Sequence, residues 1–307
     1  MKHVAVLLGG FSAEREVSLV SGAAVARSLG EAGYRVTTID VQRDAEALVA
    51  ALRPRPDVVF NALHGRYGED GCVQGVLELI GVPYTHSGVL ASALAMDKPI
   101  AKRLFAAAGL RCPEGIVIER ADLARGDAMA RPYAVKPVNE GSSVGVRIVR
   151  QGDNLPPADV AAGPDHQGRV LVERFIPGRE LTVSVMGDRA LAVTELKPKS
   201  GFYDYQNKYT EGRTEHLVPA PLPSAVYEAA LEVAVTAHRS LGCRGVSRAD
   251  LRYDDSEGGG PDRLYLLEIN TQPGLTPLSL VPEQAAYCGI EFGALVGWMV
   301  ENARCGA

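Results

Sequence analysis

The chain has 307 residues, 46% of them apolar and 22% charged, with a formal net charge of -5. That length provides for two or three domains with packed cores, and the composition is that of an ordinary globular chain. The acidic balance argues against a general nucleic-acid surface and leaves only a local basic patch open.

Cys72, Cys112, Cys243, Cys288 and Cys305 are odd in number and form no Cys-x-x-Cys pair; this pattern predicts reduced thiols in a cytosolic protein. Met1-Lys2-His3 precedes a short apolar run, Val4 to Leu8, that leads into Gly9-Gly10 and is too short for a signal-peptide core or a membrane span. No asparagine begins an Asn-x-Ser/Thr triplet, which fits an intracellular chain.

In chain order, Val4 to Leu8 reads as a buried parallel strand, Gly9 to Ser12 as a loop, and Val17 to Leu29 as a helix ending near Gly33. Arg35 to Val41 is a second strand, Asp44 to Leu52 a helix and Asp57 to Leu63 a third strand stopping at His64-Gly65. A helix over Cys72 to Ile80 and a short strand, Val82-Pro83-Tyr84, follow. Alternating strands and helices predict a parallel, doubly wound sheet with ligands at the strand carboxyl ends.

After Met96-Asp97-Lys98-Pro99 the character changes. Pro99 suits a first turn, with a helix over Ile100 to Ala108 closed by Gly109. Strands are predicted at Ile116 to Ile118, Tyr133 to Val138, Val144 to Val149, Val170 to Phe175 and Leu181 to Val185, with a polar surface loop over Gln151 to Gly168. Further on come a strand, Ala190 to Leu196, a long polar loop, Lys197 to Glu215, and a helix, Tyr227 to Leu241. A loop of that length is expected to be functional. Strands Gly245 to Arg252 and Arg263 to Ile269 bracket the turn Asp254 to Gly260, and Gln284 to Asn302 is largely helical. The expected divisions are residues 1–96, 97–187 and 188–307.

The chemistry gathers around Glu268-Ile269-Asn270. Alternation along a strand points Glu268 and Asn270 to one face, where their oxygens can reach one hard cation such as Mg²⁺. A buried strand followed by a polar turn explains the same residues; Asp250, on a second acidic strand, favours the metal reading. No Gly-Lys pair exists for a P-loop, and Gly9-Gly10 is not Gly-x-Gly-x-x-Gly. Gly141-Ser142-Ser143-Val144-Gly145 matches a nucleophile elbow, but a strand pattern follows where the elbow needs a helix. A glycine-serine tip can instead fold over phosphates, with Lys136 just upstream as a cation. His64 to Gly71 is glycine-dense at a strand end, where Glu69 and Asp70 also suit a helix start. Glu14 suits a cationic amine, and Ser12 could cap a helix with Arg15 and Glu16 as solvated first-turn charges.

Together, Leu7 to Ser18, His64 to Gly71, Met96-Asp97-Lys98, Val135-Lys136-Pro137, Glu140 to Gly145, Tyr203 to Tyr209 and Leu267 to Pro282 run in the order of a known family. The chain resembles the D-alanine–D-alanine ligases of the ATP-grasp superfamily from end to end. The resemblance implies three consecutive α/β domains: the parallel doubly wound sheet, then a two-part ATP-grasp fold holding ATP. It implies that one D-alanine is phosphorylated by ATP and then attacked by the amine of a second, and that the dipeptide serves peptidoglycan synthesis.

By motif match, Asp250, Glu268 and Asn270 are implied to hold Mg²⁺, two ions for which Mn²⁺ can substitute. Lys98, Lys136 and Ser143 are implied at the ATP phosphates, with Glu173 and Glu180 on the adenosine side. Lys208 is implied near the transferred phosphate, and Arg248 with the Gly274 N–H as the oxyanion hole. Glu14 would bind the first ammonium and join Ser142 and Tyr209 in a triad. His64 lines the first alanine pocket, and Ser279 and Leu280 receive the second carboxylate. A cytoplasmic homodimer without nucleic-acid or membrane partners is expected. Gln272 stands where the family often has a small or aliphatic residue, His86 replaces a usual glycine, and the 151–168 region is short. A D-alanine–D-lactate ligase, another ATP-grasp ligase and a non-catalytic nucleotide-binding regulator are the rival readings.

Overall fold

The computed structural model describes residues 1–139, 141, 145–153, 168–199 and 212–306. Three sheets organise them. The first is parallel, with β1 (His3–Gly9) between β2 (Arg35–Val41) and β3 (Val58–Asn61). Its central strand is apolar on both sides because helices cover both faces. Val4, Val6 and Phe60 pack with α1 (Arg15–Glu31) and, far along the chain, with α8 (Phe292–Glu301). Ala5, Leu7 and Val59 pack with α2 (Ala45–Ala51) and α3 (Cys72–Ile80). The boundaries of β2 and α3 coincide with those read from the sequence. Val82 to Tyr84 is no strand but a point of two isolated bridges, from Tyr84 to Val59 and to Arg304, and α4 (Val89–Met96) occupies a stretch the sequence reading left open.

The second sheet, antiparallel in the order β4-β7-β5-β6, joins Gly115–Glu119, Arg169–Arg174, Tyr133–Pro137 and Arg147–Val149. Its small core is Leu123, Tyr133, Val135, Val149, Val170 and Val172. The third is larger and antiparallel, in the order β10-β9-β8-β11-β12. Its strands are β8 (Arg179–Met186), β9 (Arg189–Pro198), β10 (Thr214–Leu217), β11 (Val246–Tyr253) and β12 (Leu264–Asn270). β8 therefore pairs in the larger sheet, so the boundary between sheets falls ahead of residue 187. Helices α5 (Lys98–Ala107) and α6 (Ser224–Ser240) share one core with it, in which Phe105 and Ala234 meet Leu181, Leu251 and Leu266.

Two further differences have local causes. Cys288-Gly289-Ile290-Glu291 splits the last helical stretch into α7 (Leu280–Tyr287) and α8, with Gly289 in the left-handed region at φ +76°. Arg15, one reading of which was a solvated charge, is instead held by both Asp40 oxygens, at 2.8 and 2.6 Å. That pair presses on the loop after β1. A Cβ on Gly9, where φ is +76°, would be strained and would fall 2.1 Å from Asp40 Oδ1, displacing the ion pair.

Candidate active site

The site is built on the neighbouring ends of β11 and β12. Arg248 pairs with Asn270 and Asp250 with Glu268 across the ladder, and directly opposed residues share a face. The register then slips between Asp250 and Leu251, so that Leu251 faces Leu266 and Leu267 is the extra residue of a bulge. Core contacts are kept at Leu264, Leu266 and Ile269. Leu267 and Glu268 consequently both line one cleft. A bulge of this kind re-aims side chains without ending the strand.

Each carboxylate on this face meets a cation. Arg248 donates to both oxygens of Asp250 at 2.8 and 2.7 Å, and Thr182 Oγ1 donates to Asp250 Oδ1 at 2.8 Å. Lys98 Nζ lies 3.3 Å from Glu268 Oε2. Lys98 is placed by the first turn of α5, where the Asp97 side chain accepts from Ile100 N at 3.0 Å. Its backbone N–H also donates to Val138 O at 3.2 Å, tying the helix to the end of β5.

Between the two antiparallel sheets runs a cleft of about 400 Å³, lined by Lys98, Lys136, Glu173, Glu180, Arg252, Asp250 and Glu268 among polar groups and by Ile148, Phe175, Ile176 and Leu267 among apolar ones. That volume suits a small organic cofactor or nucleotide. Lys136 and Lys102 both hold the Glu173 carboxylate, which is only 1% exposed. Burial opposes charge on both partners. For Glu173 it is outweighed by Lys136 and Lys102, which keep its pKa below the usual carboxylate range. For Lys136 it is outweighed by Glu173, then Glu268 and Glu180, which keep its pKa above that of a free lysine. Glu180 lies nearer solvent and meets Arg252 Nη1 at 3.2 Å, while Arg252 also donates to Ile176 O at 3.1 Å and Gly178 O at 2.8 Å.

A second cavity opens beside the first, lined by Glu14, His64, Glu69, Lys98, Gly141, Arg248, Glu268, Asn270, Gly274, Ser279 and Leu280. Lys98 and Glu268 belong to both cavities. A Cβ on Gly141 would sit 3.0 Å from Glu14 Oε1 and 3.0 Å from Glu69 Oε1, so two carboxylates converge on one point. Such a pair suits a cationic amine. His64 Nδ1 is 3.9 Å from Glu69 Oε2, and His64 Nε2 and Glu69 Oε2 are buried with no hydrogen-bond partner among the described residues. On the opposite wall a Cβ at Gly274 would lie 3.0 Å from Ser279 Oγ. Ser279 is the N-cap of α7 and its hydroxyl accepts from Thr276 N at 2.9 Å.

The structure thus brings together Glu14, His64, Lys98, Arg248, Glu268, Asn270, Gly274, Ser279 and Leu280 in one cavity, and Lys136, Glu173, Glu180 and Asp250 in the adjoining cleft. Ser142, Ser143, Lys208 and Tyr209 lie outside the described residues. Glu69, Lys102 and Arg252 escaped the sequence reading. Asp70 alone does the capping expected of the acidic pair, accepting from Tyr67 N at 2.9 Å and Cys72 N at 3.1 Å, which frees Glu69 for the pocket. Lys102 had one readable signal, since it lies one helical turn beyond Lys98 on the same face.

Among the described residues no three His, Cys, Asp or Glu side chains converge as a metal cage. Asp250, Glu268 and Asn270 supply two carboxylates and a carboxamide beside a cleft open to a ligand. That donor set fits Mg²⁺, which takes one or two carboxylates and completes its shell with water and substrate phosphate. No helix among the described residues is long and apolar enough to cross a membrane.

A family model described as "D-ala D-ala ligase C-terminus" matches residues 104–301, and one described as "D-ala D-ala ligase N-terminus" matches residues 45–87. A protein of Paramagnetospirillum magneticum named D-alanine--D-alanine ligase is 61% identical over 305 residues, 99% of each chain. The solved D-alanine--D-alanine ligase of Bacillus anthracis complexed with ATP is 29% identical with a TM-score of 0.81, covering 98% of this chain and 96% of that one. The VanG D-Ala:D-Ser ligase of Enterococcus faecalis is 29% identical with a TM-score of 0.79, covering 98% of both. With the ATP-grasp architecture and full-length likeness in agreement, the chain belongs to the D-alanine–D-alanine ligase family.

Proposed function

We propose that the chain joins two D-alanines at the expense of ATP through a D-alanyl phosphate, with the two cavities dividing the work. The observation that carries this reading is their junction at Lys98 and Glu268. A nucleotide in the cleft directs its terminal phosphate toward that junction, where a carboxylate in the second cavity can attack it. One carboxylate oxygen of the first D-alanine bonds to the γ-phosphorus as the bond to ADP breaks. The amine of the second D-alanine then attacks the acyl carbon, loses a proton, and expels phosphate.

Lys98 and Lys136 place fixed positive charge at the phosphates. Asp250, Glu268 and Asn270 would hold Mg²⁺, which would supply further charge neutralisation there. Glu173, enclosed by its two lysines, orients Lys136, and the more open Glu180 is the acceptor for the ribose. Glu14 and Glu69 hold the first ammonium, and His64 packs beside them. Arg248 and the Gly274 N–H face the developing oxyanion. The amino-terminal end of α7, at Ser279 and Leu280, receives the second carboxylate, where helix N–H groups favour an anion. Motif resemblance supports Ser142 and Ser143 as a lid over the phosphates, Lys208 near the transferred phosphate, and Tyr209 with Ser142 and Glu14 as the triad that closes the site; a closed site protects the acyl phosphate from water. A cytoplasmic homodimer feeding peptidoglycan synthesis, with two Mg²⁺ ions replaceable by Mn²⁺, completes the proposal.

Phosphate release from ATP and Mg²⁺ should rise on adding D-alanine, and mass spectrometry should find the dipeptide. Phosphate release indifferent to D-alanine would favour a nucleotide-binding regulator. Because a D-Ala:D-Ser ligase shares this backbone, D-lactate and D-serine are offered in competition; a mixed product in excess of D-alanyl-D-alanine would overturn the choice of second substrate.

A further inference from the structure

Gln272 ends the turn after Asn270 and has a polar side chain that is 1% exposed. A buried primary amide needs two acceptors for its N–H groups and donors for its oxygen. Gln272 finds all of them on a distant part of the chain. Its Nε2 donates to Leu63 O and, at 3.3 Å, to Gly68 O. Its Oε1 accepts from Asn61 Nδ2 at 3.0 Å and Gln74 Nε2 at 3.4 Å. Asn61 and Gln74 are themselves fully buried, and both donate to Gly68 O, at 3.0 and 2.9 Å. Asn61 Oδ1 accepts from Leu63 N at 3.2 Å and Gln74 Oε1 from Gly71 N at 3.1 Å.

Three amides therefore lace the segment from Leu63 to Gly71, which presents His64 and Glu69 to the cavity. Only Gln272 belongs to the opposite wall. Its own N–H donates to Asn270 Oδ1 at 2.8 Å, so the residue that grips the His64 segment also orients the Asn270 carboxamide. Leu275 N, outside this network, donates to Ser21 Oγ at 3.2 Å. Few side chains can replace Gln272: Met has neither function, Lys cannot accept, and a glutamate would face two carbonyl oxygens with a carboxylate.

We propose that Gln272 is a positioning residue for the ligation reaction, its carboxamide fixing the spacing between the wall bearing His64 and Glu69 and the wall bearing Asn270 and Gly274. The inference rests on reading this cavity as the amino-acid site. It predicts that the network governs D-alanine and leaves ATP untouched, since none of its members lines the nucleotide cleft.

The test compares wild type, Gln272→Met and Gln74→Met, measuring KM for D-alanine, KM for ATP, kcat and Tm on soluble full-length protein. Gln74→Met strips the same network from the far wall and leaves the strand tip intact, so a folding failure of one variant leaves the other to decide. Expected for a folded variant is a rise of about tenfold or more in the D-alanine KM with the ATP KM within about twofold. Gln272→Glu adds a signature that a merely structural residue lacks: its D-alanine KM should fall toward wild type as the pH is lowered and the carboxyl regains a donor. An unchanged D-alanine KM, an equal rise in both KM values, or a lower Tm without a KM change would overturn the proposal. Absence of D-alanine-dependent phosphate release in wild type would instead overturn the assignment of the cavity.

Discussion

The proposed nucleotide cleft and the proposed amino-acid cavity share two residues and are built on different principles. The cleft lies between antiparallel sheets and is organised by ion pairs: Lys136 and Lys102 on Glu173, Arg252 on Glu180, and Arg179 on Glu195 at 3.0 Å. The cavity is assembled from turns that approach from opposite ends of the chain, joined by amides 211 residues apart. Charge pairs on strands give the cleft a wall of fixed charge. Amide contacts between turns set a distance, which is what a site for two small zwitterions requires.

Separate perturbation of the two regions should break their effects apart. The largest effect is expected at the junction: Glu268→Gln removes charge with little change in volume, and kcat should fall at least about 100-fold with Tm little changed. A fall below tenfold would contradict the phosphate-side role. Lys136→Met should come next. It leaves Glu173 buried with Lys102 alone, so a loss on the order of 3 kcal/mol of stability is expected by denaturant unfolding, together with a raised ATP KM. An altered D-alanine KM with normal ATP KM would contradict the division. Glu69→Gln should act in the opposite compartment, raising the D-alanine KM about tenfold, equivalent to about 1.4 kcal/mol, with ATP unaffected in steady-state assays.

The effect furthest from the chemistry concerns His86, which lines neither cavity and acts on stability alone. Burial first, then the charge of His64, lowers its pKa from 6.5 to about 3. The unfolded chain therefore binds a proton that the folded one refuses. Stability from this residue is full above pH 6.5 and is lost as the pH falls toward 3, on the order of 2 kcal/mol by pH 5. His86→Gly should flatten the fall in Tm between pH 7.5 and 5, as thermal scans would reveal; an unchanged slope would refute the neutral buried imidazole. The same substitution suits the backbone, since φ is +68° at His86, in the region where glycine carries no Cβ penalty.

That backbone value gives a physical reason for the glycine that the resemblance implies at this position, while nothing in the structure explains the histidine that replaces it. Much of the fold was similarly legible: apolar runs bounded by glycine located β1, β2 and α3, and the acidic strands located Asp250 and Glu268. What local pattern concealed was partnership. Glu69 and Asp70 look alike in sequence, yet one caps and the other enters the cavity. Gln272 reads as an oddity until Asn61 and Gln74 are brought beside it. α4 was missed because Val89 to Met96 lies between two stronger signals and is apolar nearly throughout, without a helical stripe.

The bulge at Leu267 has a consequence of phase. Upstream of it, β12 keeps step with the hydrophobic core through Leu264 and Leu266; downstream, Glu268 and Asn270 are half a pleat out of step with that rhythm. The reacting end of the strand is thus insulated from changes in register at its structural end. Deleting Leu267 would restore simple alternation with the core leucines anchored and would leave Glu268 and Asn270 on the cleft side and Ile269 in the core. Ironing out the bulge with Leu267 retained is the change that would turn Glu268 and Asn270 inward and Ile269 to the cleft. One residue without chemistry of its own acts as the frame marker for all the chemistry that follows it.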